Sequence, residues 1–140
     1  MVNRYDKMRK RHQEEVNAFP LGCAFNHQQF EEMMREFGLS AADTDKIKGI
    51  GAGIFIRKTD EQALMDMFER HHREIREAMD GDQDGSGFLY EMFKSELSNH
   101  EYGYTYDYTD AIAACGLGLS DLEKYPHYKK ALLKACAEFD

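Results

Sequence analysis

Residues 80–91, Asp-Gly-Asp-Gln-Asp-Gly-Ser-Gly-Phe-Leu-Tyr-Glu, carry carboxylates at the spacing that wraps a calcium ion. Ca²⁺ takes about six to eight oxygens, and a short loop supplies them with carboxylates at alternate positions, a glycine at the bend and a closing bidentate Glu. Counted from Asp80, positions one, three, five and twelve are Asp80, Asp82, Asp84 and Glu91, with Gly85 at the bend. Position eight, where an aliphatic side chain pins such a loop to the core, is Gly87. Counting from Asp82 places Leu89 there but puts Phe93 at position twelve, which has no ligating atom. Each register breaks one requirement, and no second loop of this kind occurs in the chain. A solvated turn between two helices accounts for the same residues, because Asp, Ser and Gly form local side-chain turns and tolerate positive φ. No cofactor is therefore expected, with Ca²⁺ on Asp80, Asp82, Asp84 and Glu91 as the alternative.

Two other groupings could carry function. Tyr102, Tyr104, Tyr106 and Tyr108 alternate with Glu101, Gly103, Thr105 and Asp107. In an extended segment, a period of two puts all four rings on one face. Such a strand either covers the core with its hydroxyls wet or presents an aromatic stripe of the kind found at interface hot spots. Glu69 with His72 and Glu96 with His100 are spaced i, i+3 and i, i+4 on helical stretches. Helical Glu-x-x-His is a ligand spacing of bundle di-metal sites, although that architecture needs a second such motif and two further glutamates. His71 and His72 also lie between Arg70 and Arg73, which suits a wet face.

The elements around these residues follow from apolar periodicity and caps. Asn3 opens a helix over about 3–17, stopped by Phe19-Pro20. Leu21 to Phe25 reads as a short strand. Asn26 with Gln29 then caps a helix whose stripe is Phe30, Met33, Met34 and Phe37, ending at Gly38. Residues 39–48 read as a polar turn, and 49–57 as one strand with a glycine-rich entrance. Those glycines precede a strand rather than a helix, so they do not make a phosphate loop. Thr59 with Gln62 opens a helix over about 60–79, and another spans about 86–98. Thr109 caps a short helix ending at Gly116, Ser120 with Glu123 forms a further capping box, and a terminal helix follows Pro126. The expected fold is α+β: a single, mostly helical domain over 1–140, with a two- to three-stranded sheet drawn from 21–25, 53–57 and 102–108.

Composition excludes several classes. The formal net charge of −8 disfavours direct nucleic-acid binding, which needs Lys and Arg to displace phosphate counterions. Arg4, Lys7, Arg9, Lys10 and Arg11 form a local exception that reads as a solvated helix face. No apolar run is long enough to span a membrane, and the basic, polar start has no signal-peptide pattern. Cys23, Cys115 and Cys136 are odd in number and widely spaced, which suits reduced thiols and a cytoplasmic location. No nucleophile with a paired base can be nominated.

Ala24-Phe25, Gln29-Phe30-Glu31, Ile50-Gly51-Ala52-Gly53, Phe55-Ile56-Arg57-Lys58, Met67-Phe68-Glu69-Arg70-His71-His72, Tyr90-Glu91-Met92-Phe93 and Glu96-Leu97-Ser98-Asn99-His100-Glu101-Tyr102 carry a resemblance across nearly the whole chain. It resembles a family of short uncharacterised proteins from gut bacteria and their mobile elements. The resemblance implies no activity and no catalytic residue, and gives the Asn99–Tyr102 element a shared structural or binding role. The chain thus reads as a non-enzymatic protein-binding domain. A mobile-element inhibitor of a bacterial defence nuclease, of the anti-CRISPR or anti-restriction type, fits the size, the acidity and the resemblance. Its expected partner is a basic, nucleic-acid-processing protein, contacted through Tyr102, Tyr104, Tyr106, Tyr108, Asp80, Asp82 and Asp84. The alternatives are a calcium module with a single degenerate loop and a metal-dependent enzyme using Glu69, His72, Glu96 and His100.

Overall fold

A computed structural model of the chain describes residues 3–140. The elements run α1 (Arg4–Ala18), β1 (Gly22–Cys23), α2 (His27–Glu36), β2 (Ile47–Gly51), β3 (Ile54–Arg57), α3 (Glu61–Asp80), α4 (Phe88–Asn99), α5 (Tyr102–Thr105), α6 (Thr109–Ala114), α7 (Leu119–Lys124) and α8 (Pro126–Cys136). Short 3-10 turns lie at Thr44–Lys46, Lys58–Asp60 and Ala137–Phe139. The fold is α+β, mostly helical with one small sheet. Packing groups the chain into two compact units: Glu14–His71, and the chain up to Gln13 together with His72–Asp140. The division falls inside α1 and α3.

The unit of residues 14–71 is built on α2 and the sheet. Asn26 Oδ1 accepts the amide of Gln29 at 2.8 Å, satisfying a helix N–H that would otherwise lack a partner. Past the helix, Gly38 takes φ 77°, and the Gly38 and Leu39 amides donate to Arg35 and Met34. The apolar face of α2 buries Met33 and Met34 with Ile47, and Phe30, Phe37 and Phe55 pack around them.

The sheet is antiparallel in the order β1-β3-β2. Here the structure corrects the expected strands. The segment read as one strand with a glycine entrance is a hairpin, in which β2 and β3 join through Ala52-Gly53. Both turn residues have positive φ, 54° and 74°, the backbone twist a two-residue hairpin demands. Only Ile47 of β2 is buried, so the strand lacks the alternation that would announce it.

The other unit centres on α4 and α8. Leu89, Met92, Phe93 and Leu97 are fully buried with Tyr128, Ala131 and Leu132 of α8, joined by Met79, Ile112 and Leu122 from α3, α6 and α7. Tyr5 of α1 closes this core edge-on against Phe88, ring centroids 5.9 Å apart. Asn3 caps α1 by accepting the Asp6 amide at 3.0 Å. Pro126 occupies the first turn of α8, where a missing N–H is harmless. Ser120 and Glu123 do not form the expected box; Asp121 accepts the Gly118 amide instead, at 2.9 Å. Gln62 likewise donates its amide to Asp66 at 2.9 Å, and Thr59 sits within a 3-10 turn.

The second correction concerns the tyrosines. Residues 102–108 add no strand to the sheet. They form α5, a single helical turn bracketed by Glu101 at φ 57° and Tyr106 at φ 53°. The 101–104 and 101–105 amide bonds and a Tyr106 N–H bond to the Tyr102 carbonyl close that turn locally, which turns those three amides away from strand pairing.

Candidate functional site

The carboxylates of residues 80–91 each reach a different structural partner. Asp80 accepts the Tyr128 hydroxyl and lies 3.7 Å from Arg76. Asp82 Oδ2 accepts the amides of Gly87 and Leu89 at 2.9 and 3.0 Å, so it caps the start of α4. Asp84 Oδ1 accepts both the amide and the hydroxyl of Ser86, which holds its carboxyl below the ordinary value. Glu91 Oε2 accepts the backbone N–H and the Nε of Arg4, each at 3.0 Å. Gly85, at φ 72°, packs on α8: a Cβ there would meet the His127 carbonyl and the Ala131 Cβ at 3.0 Å. The loop is thereby stitched to α1, α4 and α8. Among the described residues, no group of three or more His, Cys, Asp or Glu is arranged to hold a metal ion.

The proposed Glu/His ligands are also dispersed in environment. Glu69, His72 and His100 are exposed, whereas Glu96 is buried at 2 % exposure. Glu96 Oε1 accepts Arg9 Nη1 at 2.8 Å and Asn99 Nδ2 at 3.1 Å, and its other oxygen lies 3.7 Å from His100. Arg9 also sits 5.7 Å from the Tyr5 ring centroid. A buried carboxylate tolerates its site because such donors replace water. Burial, followed by the charge of Glu96, raises the Tyr5 hydroxyl and pushes the Cys115 thiol up to about 12. Cys115 therefore stays a neutral thiol, not an activated nucleophile. It lines a cleft of about 520 Å³ with His72, Ile75, Met79, Ala113 and Gly116.

The four tyrosines separate into two pairs. Tyr102 is half-buried, edge-on to Phe139 at 5.5 Å, and its hydroxyl is pushed up to about 12, first by its bond with the Cys136 thiol and then by burial. Tyr108 is half-buried against the same core. Tyr104 points outward, 89 % exposed, and Tyr106, 59 % exposed, sets its ring edge-on to Tyr102 with centroids 5.6 Å apart. Around them, Glu101, Asp107 and Asp110 are exposed, and no Lys or Arg occurs between Lys94 and Lys124. Asp107 Oδ1 accepts the Thr109 hydroxyl and amide, which fixes the start of α6 and lowers the Asp107 carboxyl.

A repeated pattern escaped the sequence reading. Arg11-His12-x-x-Glu15 on α1 and Arg70-His71-x-x-Glu74 on α3 share one spacing. In one unit, Glu74 bonds Arg11 and lies 3.3 Å from the buried His12. In the other, Glu15 bonds Arg70 and lies 3.4 Å from the buried His71. The signal was the recurrence of Arg-His three residues before Glu, masked because charged residues on a helix ordinarily mean a wet face.

No helix is long and apolar enough to cross a membrane among the described residues. No curated protein and no solved structure gives a match to the chain. Residues 4–138 match the model of a family described as a family of unknown function (DUF7659), and the chain belongs to that family.

Proposed function

We propose that this protein is a protein-binding domain that docks on a basic partner through the acidic, aromatic turn at residues 101–110. The observation that carries the reading is the pair of non-glycine residues at positive φ, Glu101 and Tyr106, bracketing two exposed tyrosines. A left-handed backbone costs an ordinary residue about 1–2 kcal/mol, and such strain gathers where geometry serves a function. Exposed tyrosines supply large, stiff contact area at little entropic cost, and carboxylates around them give complementarity to a basic surface. A nuclease with a cationic nucleic-acid groove is a partner of that chemistry, and an inhibitor encoded by a mobile element would engage one this way.

Affinity capture tests the reading. The protein and its Tyr104→Ser/Tyr106→Ser variant are immobilised and exposed to bacterial lysate at low and high ionic strength. The expected result is retention of a basic protein by the wild type, at least about tenfold weaker with the variant, consistent with loss of two interface aromatics. High salt should release it, because exposed charge pairs are screened. Equal retention by the two proteins would reject the turn as the contact surface.

A further inference from the structure

The unit of residues 14–71 contains a cleft of about 310 Å³ between α2 and β1, lined by Cys23, Phe25, Gln29, Glu32, Met33 and Glu36. Gln29, Glu32, Met33 and Glu36 are spaced i, i+3, i+4 and i+7, so they form one stripe along α2. Facing them is Phe25, 73 % exposed yet fixed in place. Its amide donates to Gln29 Oε1 at 2.8 Å. Its ring lies on Gly53, where an added Cβ would come within 2.6 Å of it. The ring is thus braced against the hairpin while most of its surface stays exposed.

The charges of this stripe are placed against the helix's own electrostatics. Glu36 is the last residue of α2, where the helix dipole is negative and cations are favoured. Glu32 lies four residues before it, a like-charge spacing that destabilises an isolated helix. Glu31 pairs with His27 at 2.9 Å, but neither Glu32 nor Glu36 has a hydrogen bond or ion pair among the described residues. Arg35 lies between them in sequence and lines no part of the cleft. With no protein cation among the described residues against either carboxylate, the stripe is complementary in charge to a cation from outside.

We infer that this cleft is a receptor for a single arginine side chain presented by a protein partner. The guanidinium plane would stack on the exposed Phe25 ring, its stem would lie along Met33, and its N–H groups would donate to Glu32 and Glu36. A volume at the small end of ligand sites suits one long side chain. The inference rests on the reading of the protein as a binder of basic partners, and names the side chain recognised.

The test is an amide NMR titration of the whole protein with the blocked peptide acetyl-Gly-Arg-Gly-amide, with the citrulline peptide as an uncharged control of the same shape. The arginine peptide should shift amides within 23–36 saturably, in the millimolar range expected of one side chain. The citrulline peptide should bind at least about tenfold more weakly, as the loss of both charge-assisted contacts requires. Glu32→Gln/Glu36→Gln, both at exposed positions, should show the same loss, and Phe25→Ala a smaller one. Tyr104→Ser/Tyr106→Ser should leave the titration unchanged, so failure of the 101–110 turn and failure of this cleft are read separately. Absence of localised shifts, equal shifts with citrulline, or an unaltered response in Glu32→Gln/Glu36→Gln would each overturn the inference.

Discussion

The loop at 80–91 and the turn at 101–110 have nearly the same vocabulary, Asp, Gly, Tyr and a hydroxyl residue, and they end as opposites. In the loop, every carboxylate at Asp80, Asp82, Asp84 and Glu91 is engaged by an atom of the protein itself. In the turn, Asp107 alone is used for capping, while Tyr104 and Tyr106 stay exposed and the backbone at Glu101 and Tyr106 is held left-handed. The lesson concerns acidity in a sequence. A carboxylate's availability depends on whether nearby N–H and O–H groups have already taken its lone pairs, which composition does not record.

Stability measurements would break or sharpen this contrast. The largest effect should come from Asp82→Ala, which strips two amides at the start of α4 of their acceptor, directly above the fully buried Leu89. A loss of about 2 kcal/mol in urea unfolding is expected. A loss under about 0.5 kcal/mol would mean the loop is not structural, since surface positions behave that way. Next, Glu101→Gly should stabilise by about 1 kcal/mol, because glycine adopts positive φ without the steric penalty. A lower melting temperature for this variant would remove strain from the account of the turn.

Tyr104→Ser should change unfolding by less than about 0.5 kcal/mol, since the ring has little to pack against, while weakening partner capture. A large destabilisation would turn the residue from contact into core. The smallest effect is a titration. Asp84 and Asp107 are both lowered from an ordinary value of 3.8, chiefly by the Ser86 and Thr109 hydroxyls respectively. A depressed folded-state value means the contribution is present above 3.8 and fades as pH falls through the folded value. Ser86→Ala and Thr109→Ala should each bring the neighbouring aspartate back toward 3.8 by NMR titration. An unmoved aspartate in either variant would contradict the hydroxyl as the main cause.

The helices were legible because their signals are local. Asn26 reaching the Gln29 amide and Gly38 ending α2 are contacts three to five residues apart, written side by side in the chain. The hairpin and the tyrosine turn were not. At β2 a single buried side chain gave no alternation, and at 102–108 a strict alternation of tyrosines marked no strand at all. There the period of two was overruled when the Tyr104, Thr105 and Tyr106 amides bonded back to the Glu101 and Tyr102 carbonyls.

Sequence alone determined the α+β class, the amphipathic helices with the Asn26 and Gly38 ends of α2, and the acidic character, since each depends on neighbours within a few positions. Tertiary structure decided which charged and aromatic groups remain available. Arg4 meets Glu91 across 87 residues and Tyr128 meets Asp80 across 48, and such bonds exist only after the chain has folded. A carboxylate with a distant donor becomes scaffold, whereas Glu32 and Glu36, which find none, keep their charge facing solvent.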